Sequence, residues 1–320
     1  MAAQTIHSMK AHTENKNYKA VILITLVVAI FLGSYFIRRA LERSVQTAPT
    51  QNEHTDYPQR IVALAPSLVE VVYQLELDGR LVGISRFCKY PEDAATKPVV
   101  GGYLDLDFEA LLKLEPDCVI LLEEQNLLAD RLHELGIKTL IIDHASTSGI
   151  LSSIHVIGTN FGKASSADNL MAGLQERIKK IDNRAQLKPN KPRVLVCISR
   201  DTSSSQPDRI IAAGNAGVHQ EYITMAGGTN AYQGNIAFPT ISREKLLQIN
   251  PDIIIELISA DTLKDIGRTK LLQQWASYPE LKAVQNQKII FLHENKHMIP
   301  GPRFVDTLEA FANAMHPPQS

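Results

Sequence analysis

His293-Glu-Asn-Lys-His297 has the H-E-x-x-H spacing of a zinc hydrolase. On a helix that spacing sets two imidazoles on one face to share a zinc ion, with the glutamate as general base. Here the motif directly follows Lys288-Ile-Ile-Phe-Leu292, which reads as a strand, and Pro300-Gly-Pro302 begins three residues after His297. That leaves little length for a helix, so the segment reads as a loop that could line a cleft. Zinc hydrolysis by His293, Glu294 and His297 is the alternative. Asp143-His144 could do acid–base chemistry. No serine in a strand-to-helix elbow and no glycine-rich phosphate loop accompanies it, so it reads as a structural pair at a strand end.

Two further glutamates belong to a phrase that occurs twice. Glu109-Ala-Leu-Leu-Lys-Leu-Glu-Pro-Asp117-Cys-Val-Ile120 returns as Glu244-Lys-Leu-Leu-Gln-Ile-Asn-Pro-Asp252-Ile-Ile-Ile255. Each copy reads as a short helix, a Pro-Asp stop and a buried strand. The chain therefore reads as two similar lobes with a cleft between them, each carrying a glutamate at a matching place. Loops at the carboxyl ends of the strands would line that cleft. They offer Arg86, Phe87, Tyr90 and Tyr103 from the first lobe. From the second come Arg200, Tyr232, Phe238, His293, His297 and Arg303. Flat aromatic faces suit a flat ligand, and arginines suit carboxylates or an anionic chelate. Cys88 shares the first-lobe loop.

The elements that must position these residues alternate. Ile61–Ala65, Leu81–Ile84, Cys118–Leu122 and Thr139–Asp143 read as strands, with helices from Pro66 to Leu75 and from Leu127 to Leu135. Ser67 followed by Glu70 reads as a capping box. Strands alternating with helices predict a parallel sheet covered on both faces. Ser165 to Leu187 is the longest helical stretch, with Leu170, Leu174, Ile178 and Ile181 on one stripe. At 1.5 Å per residue it would run about 30 Å or more, enough to bridge two lobes. The second lobe repeats the scheme. Its strands are Arg193–Ile198 and Lys288–Leu292, with a helix from His219 to Ala226 and a closing helix from Arg303 to Met315.

The 320 residues suggest about two domains. The net charge of −1 gives no electrostatic case for nucleic acid. Three scattered cysteines make no disulfide framework, and Cys118 and Cys197 sit inside apolar runs. Ala20 to Ile37 is an uncharged stretch between Lys19 and Arg38-Arg39. As a helix it would extend roughly 27 Å, close to a bilayer core. It reads as an uncleaved anchor, with a cleaved signal as the alternative. The expected organisation is a tail at 1–19, a transmembrane anchor or signal at 20–37 and a linker at 38–57. A first lobe at 58–160, a bridging helix at 161–190 and a second lobe at 191–320 follow.

RIVALAPSLVEVVYQL, RLVGISRFCKYPEDA, VGGYLDLDFEALLKLEPDCVI, LHELGIKTLIID, AGGTNAY, FPTISREKLLQINPDIII and PGPRF follow one another along the chain. Together they resemble the substrate-binding proteins of bacterial ABC importers for vitamin B12, ferric siderophores and haem. The resemblance covers about Arg60 to Phe311. It implies an α/β fold of two Rossmann-like lobes joined by a single long helix, which Ser165–Leu187 matches. It implies a non-enzymatic, monomeric solute receptor with no intrinsic cofactor. Its transported ligand would be a metal chelate: a corrinoid or ferric siderophore first, haem as the alternative. The resemblance also implies that Glu109 and Glu244 dock on a permease dimer with its ATPase, and that Tyr103 and Phe238 lie against the ligand. With the N-terminal span, it places the protein on the cytoplasmic membrane with its lobes on the periplasmic or extracellular side.

Overall fold

The computed structural model describes residues 57–317, of which Tyr57 onward forms one compact unit. The expected span at 20–37 lies outside the described residues. Among the described residues no helix is long and apolar enough to cross a membrane.

Two sheets carry the fold. The first has four parallel strands in the order β2-β1-β3-β4: β1 Ile61–Ala63, β2 Leu81–Ile84, β3 Cys118–Leu122 and β4 Lys138–Ile142. Every residue of β1 and β3 is buried, as expected of central parallel strands covered on both faces. The second sheet is centred on β5 Arg193–Arg200. It pairs in parallel with β9 Ile253–Leu257, which pairs in turn with β10 Ile289–Leu292. Its other edge is shared. The short parallel β7 Thr229–Asn230 pairs at its start, and the antiparallel β6 Ile210–Ala212 at its end. A two-residue strand β8 Thr240–Ile241 closes that side.

The repeated phrase does the same structural work in both halves. Each copy begins with a short helix, Phe108–Lys113 and Arg243–Ile249. Asp107 caps the first through the Ala110 N–H at 3.0 Å, and Ser242 caps the second through the Lys245 N–H at 3.3 Å. Glu115 and Asn250, just before each proline, hold left-handed backbone at φ 45° and 41° and stop the helix. The Asp of each Pro-Asp then receives the N–H that opens the neighbouring strand: Arg60 to Asp117 at 2.9 Å, Arg193 to Asp252 at 2.9 Å. Both arginines return a guanidinium to the helix end, Arg60 Nε to the Leu114 carbonyl and Arg193 to the Asn250 carbonyl. The repeat thus extends to Arg60 and Arg193, the first residues of RIVAL and RVLVC.

The long helix spans Ala164–Gln186 and buries Ala167, Leu174, Ile181 and Ala185. It packs against the helix Thr147–Asn160 and the closing helix Phe304–Met315. One apolar core passes beneath it from the first sheet, through Ile154, Leu174 and Ile181, to Val194, Phe304 and Phe311. The two halves are therefore welded through shared hydrophobic contacts.

The helix Thr147–Asn160 was not legible in sequence. Its segment, TSGILSSIHVIGTN, is rich in Ser, Thr and Gly, which have weak helix propensity. Tertiary packing supplies what propensity lacks, with Ile150, Ile154 and Ile157 fully buried.

Candidate functional site

Parallel strands put all their carboxyl-end loops on one side. At that side the halves meet along a seam. Arg303, just before the closing helix, reaches across to Glu70 on the helix Pro66–Gln74. Its Nε donates to Glu70 Oε2 at 2.9 Å and its second nitrogen to Oε1. The guanidinium also lies 3.7 Å from the centre of the Tyr90 ring and donates to Asn295 Oδ1. The Glu70 side chain is 1% exposed and that of Arg303 14%. Burial pushes the Glu70 carboxyl upward, and the two Arg303 hydrogen bonds pull against it. The bidentate geometry requires an acceptor-only carboxylate, so the pair is ionic. Gly301 lies against Ser67, where a Cβ would stand 3.0 Å from the Ser67 Cβ, so a larger residue there would have to push the two segments apart by a few tenths of an ångström. Further along the seam the Thr147 N–H donates to Glu221 at 2.7 Å.

These contacts correct the expected capping box. The helix is capped at Ala65 without a side-chain bond. Ser67 turns instead to His144, whose Nδ1 lies 2.9 Å from its hydroxyl, while His144 Nε2 meets Ser153 at 2.8 Å. His144 is the structural residue its neighbourhood with Asp143 suggested. Burial pushes its imidazole down to about 4. A folded pKa below the unfolded value of about 6.5 means neutral His144 contributes stability above pH 6.5. That contribution is lost as pH falls toward 4, amounting to about 3 kcal/mol. Thermal unfolding across pH 4–7 should show this loss together with a like one from His219, whose imidazole burial also lowers to about 4, so a His144→Gln variant should remove about half of it.

Of the candidate site residues, Phe87, Tyr90 and Phe238 are each at least 44% exposed. Leu104, next to Tyr103, and Ile236, two residues before Phe238, are exposed as well. Gly214 holds the Phe238 loop close, because a Cβ there would collide with the Ile236 carbonyl. Tyr103 and Tyr232 are partly buried against the cores, with an edge to solvent. Arg86 is exposed and paired with Asp105 at 3.1 Å.

Arg200 is not presented to the cleft. Its side chain is 1% exposed; Nε donates to Glu256 at 2.8 Å and another nitrogen to Gln274 at 2.8 Å. Its guanidinium lies over Trp275, whose indole N–H also donates to Glu256. β5 runs on to Arg200, which carries this side chain into the second core. His297 is buried too, with Nδ1 3.1 Å from the Thr307 hydroxyl. His293 is exposed, so the two histidines do not share a face. No group of three metal-ligating side chains occurs among the described residues, and the H-E-x-x-H geometry fails. Cys88 is buried with its thiol pushed up to about 11 by burial, which removes it as a ligand contact.

The sequence pointed to Glu70, the partner of Arg303, only as part of a capping box, and did not single out His219 as a site residue. His219 stands edge-on to Phe238 at 6.5 Å and to Tyr222 at 5.9 Å. Burial lowers its pKa to about 4, so its imidazole is neutral at physiological pH. The Gly214–Gly217 loop just before it was its one signal in sequence.

Glu109 and Glu244 are each the second residue of a short helix that runs antiparallel to the strand it precedes. Both therefore project at the carboxyl-end side of the sheets, the side of the seam. Both are exposed; Glu109 pairs with Lys113 at 2.7 Å on the surface. The Glu244 carboxyl is lowered by hydrogen bonds from its own N–H and from Ser242.

The periplasmic binding protein family matches residues 61–296. An uncharacterised ABC transporter substrate-binding lipoprotein, YvrC of Bacillus subtilis, is 26% identical over 267 residues, covering 81% of each chain. A cobalamin-binding protein of Halobacterium salinarum is 27% identical over 268 residues, 81% of this chain and 70% of that one. Among solved structures, the periplasmic vitamin B12 binding protein BtuF of Vibrio cholerae superposes with a TM-score of 0.69 at 21% identity. That match covers 81% of this chain and 96% of the other. The periplasmic haem-binding protein BhuT, solved with two haems, gives 0.68 at 21% identity, over 80% and 98%. At these identities the structural likeness speaks for the fold.

Proposed function

The chain belongs to the periplasmic binding protein family, and from that membership we propose that it captures a metal chelate and delivers it to an ABC importer. One observation carries the reading: exposed aromatic side chains from both halves, Phe87 and Tyr90 from one and Phe238 from the other, stand at the carboxyl ends of the sheets. Such faces suit a large, flat ligand, which the corrin and porphyrin macrocycles provide. A cobalamin-binding relative and haem-bound structural neighbours support the same class. Tyr103 and Tyr232 would contribute their solvent-facing edges.

Glu109 and Glu244 are proposed as the docking pair. Two exposed carboxylates on the cleft side, held by matching helices, offer a permease dimer two fixed points of negative charge. Residues 20–37 would hold the protein at the membrane, with the binding unit acting as a monomer outside it.

Titration of the full chain in mild detergent with cyanocobalamin, cobinamide, haemin and ferric siderophores should show at least one Kd below about 100 μM. Silence from all four would overturn the capture reading.

A further inference from the structure

Two carboxylates cross the seam, and the fold repeats the arrangement. Glu70 lies on Pro66–Gln74, the first helix of its half, and Glu221 lies on Val218–Met225, the first helix after β5. Each reaches the start of the helix that follows the last strand of the opposite sheet. Glu70 meets Arg303, the N-cap residue of Phe304–Met315 after β10. Glu221 meets Thr147, the first residue of Thr147–Asn160 after β4. The chemistry of the two crossings differs. Arg303 answers Glu70 with a charge and two hydrogen bonds, both side chains nearly out of water. Thr147 answers Glu221 only with its N–H, at 2.7 Å, and its hydroxyl, both on the single oxygen Oε2. Thr147 and Glu221 are only half-buried. Packing differs in the same sense. Beside Arg303, a Cβ on Gly301 would stand 3.0 Å from the Ser67 Cβ; beside Glu221, a Cβ on Gly217 would meet nothing nearer than the Ala145 carbonyl at 3.9 Å. One end of the seam is tight and ionic. The other is loosely packed and held by one carboxylate oxygen.

We propose that Glu221 is a positioning residue whose bonds to Thr147 clasp the wall carrying His219 and Phe238 to the first half, and whose release opens the seam at that end while the Glu70–Arg303 end stays shut. The proposal rests on the capture reading and adds which end of the seam admits the ligand. His219 lies two residues before Glu221 on the same helix and stands edge-on to Phe238, so the clasp fixes both rings. The helix Thr147–Asn160 has no acidic residue in its own first turn, and its cap Ser146 is engaged with the Gly149 N–H. Glu221 thus supplies from the other half the negative charge that a helix N-terminus favours. Neutral donors on one half-buried oxygen make a contact that opens far more readily than a buried, bidentate ion pair. The apolar core beneath the long helix joins the halves at their base, so release tilts the rim of the seam without parting the halves.

Spin labels on the full chain in mild detergent test this without any ligand. His133→Cys on the helix Leu127–Glu134 and Gln273→Cys on the helix Arg268–Trp275 place one label on each half. Both sites are exposed, whereas Cys88, Cys118 and Cys197 are buried. In the distance distribution from pulsed electron resonance, adding Glu221→Ala should raise the population of longer separations about tenfold, as loss of a charge-assisted hydrogen bond allows. Glu221→Gln keeps an acceptor oxygen for Thr147 and should stay near the parent. Leu281→Ala, a cavity in the second core, should lower the unfolding midpoint and leave the separations unchanged. Stopped-flow release of cyanocobalamin and of haemin should be about tenfold faster from Glu221→Ala and within about twofold of the parent from Glu221→Gln. Parent-like separations in Glu221→Ala, or equal widening in Leu281→Ala, overturn the clasp. Widened separations with parent release rates overturn its role in capture. If neither ligand binds the parent, the capture reading falls, and the separations alone still decide whether Glu221 holds the seam.

Discussion

Replacing both Glu109 and Glu244 with alanine should reduce ligand uptake to the background of cells lacking the protein. Ligand affinity in solution should stay within about twofold of the parent, because neither carboxylate touches the aromatic seam. The expectation follows from placement. Both glutamates occupy the second position of a capped helix, on solvent-facing turns that the two sheets hold at fixed positions. The Lys113 contact of Glu109 is an exposed i,i+4 pair, which contributes little and yields readily to a basic partner. Each single variant should retain partial uptake, since one docking point still orients the complex. Vesicle uptake assays beside calorimetry separate the two effects. A large loss of affinity in the double variant would move these residues into ligand binding and end the docking proposal.

Arg303→Ala should destabilise the protein by about 3–5 kcal/mol, because it leaves the Glu70 carboxylate buried without a partner. For a unit of this size that lowers the unfolding midpoint by about 10 °C. The double variant Glu70→Leu, Arg303→Met should recover most of the loss, since apolar replacements remove the desolvation penalty along with the pair. Hydrogen exchange should show faster opening in Arg303→Ala around Tyr90, which loses the guanidinium that backs its ring. Destabilisation below about 1 kcal/mol would mean that water reaches Glu70 and that the seam is not held by this contact.

The scaffold was legible because its signals are local. Alternating apolar runs and helical stripes marked both sheets and the long helix, whose structural bounds, Ala164–Gln186, fall within a residue of the reading. The repeat marked the matching helix-to-strand units. Where local propensity was weak, as in Thr147–Asn160, the reading was silent, and burial of three isoleucines decided the helix. The short antiparallel edge β6–β8 escaped for a related reason: strands of two or three residues carry no period to detect.

Side-chain partnership is where sequence and tertiary structure part. Ser67 and Glu70 read as a capping box because that pattern spans three residues. The fold instead pairs Ser67 with His144, 77 positions away, and Glu70 with Arg303, 233 positions away. Arg200 read as a ligand contact because it fell in the loop after the expected strand Arg193–Ile198; extension of β5 to Arg200 buried it against Glu256 and Trp275. By itself the sequence determined the two α/β halves, the bridging helix and the existence of aromatic and charged residues at strand ends. Only the tertiary structure decided which of those charges remain free. A carboxylate or guanidinium is a strong interaction partner wherever the chain brings its opposite within reach. Whether an arginine reads a ligand or is neutralised inside the protein depends on contacts between segments 19, 56 and 233 residues apart, none of which a local pattern reveals.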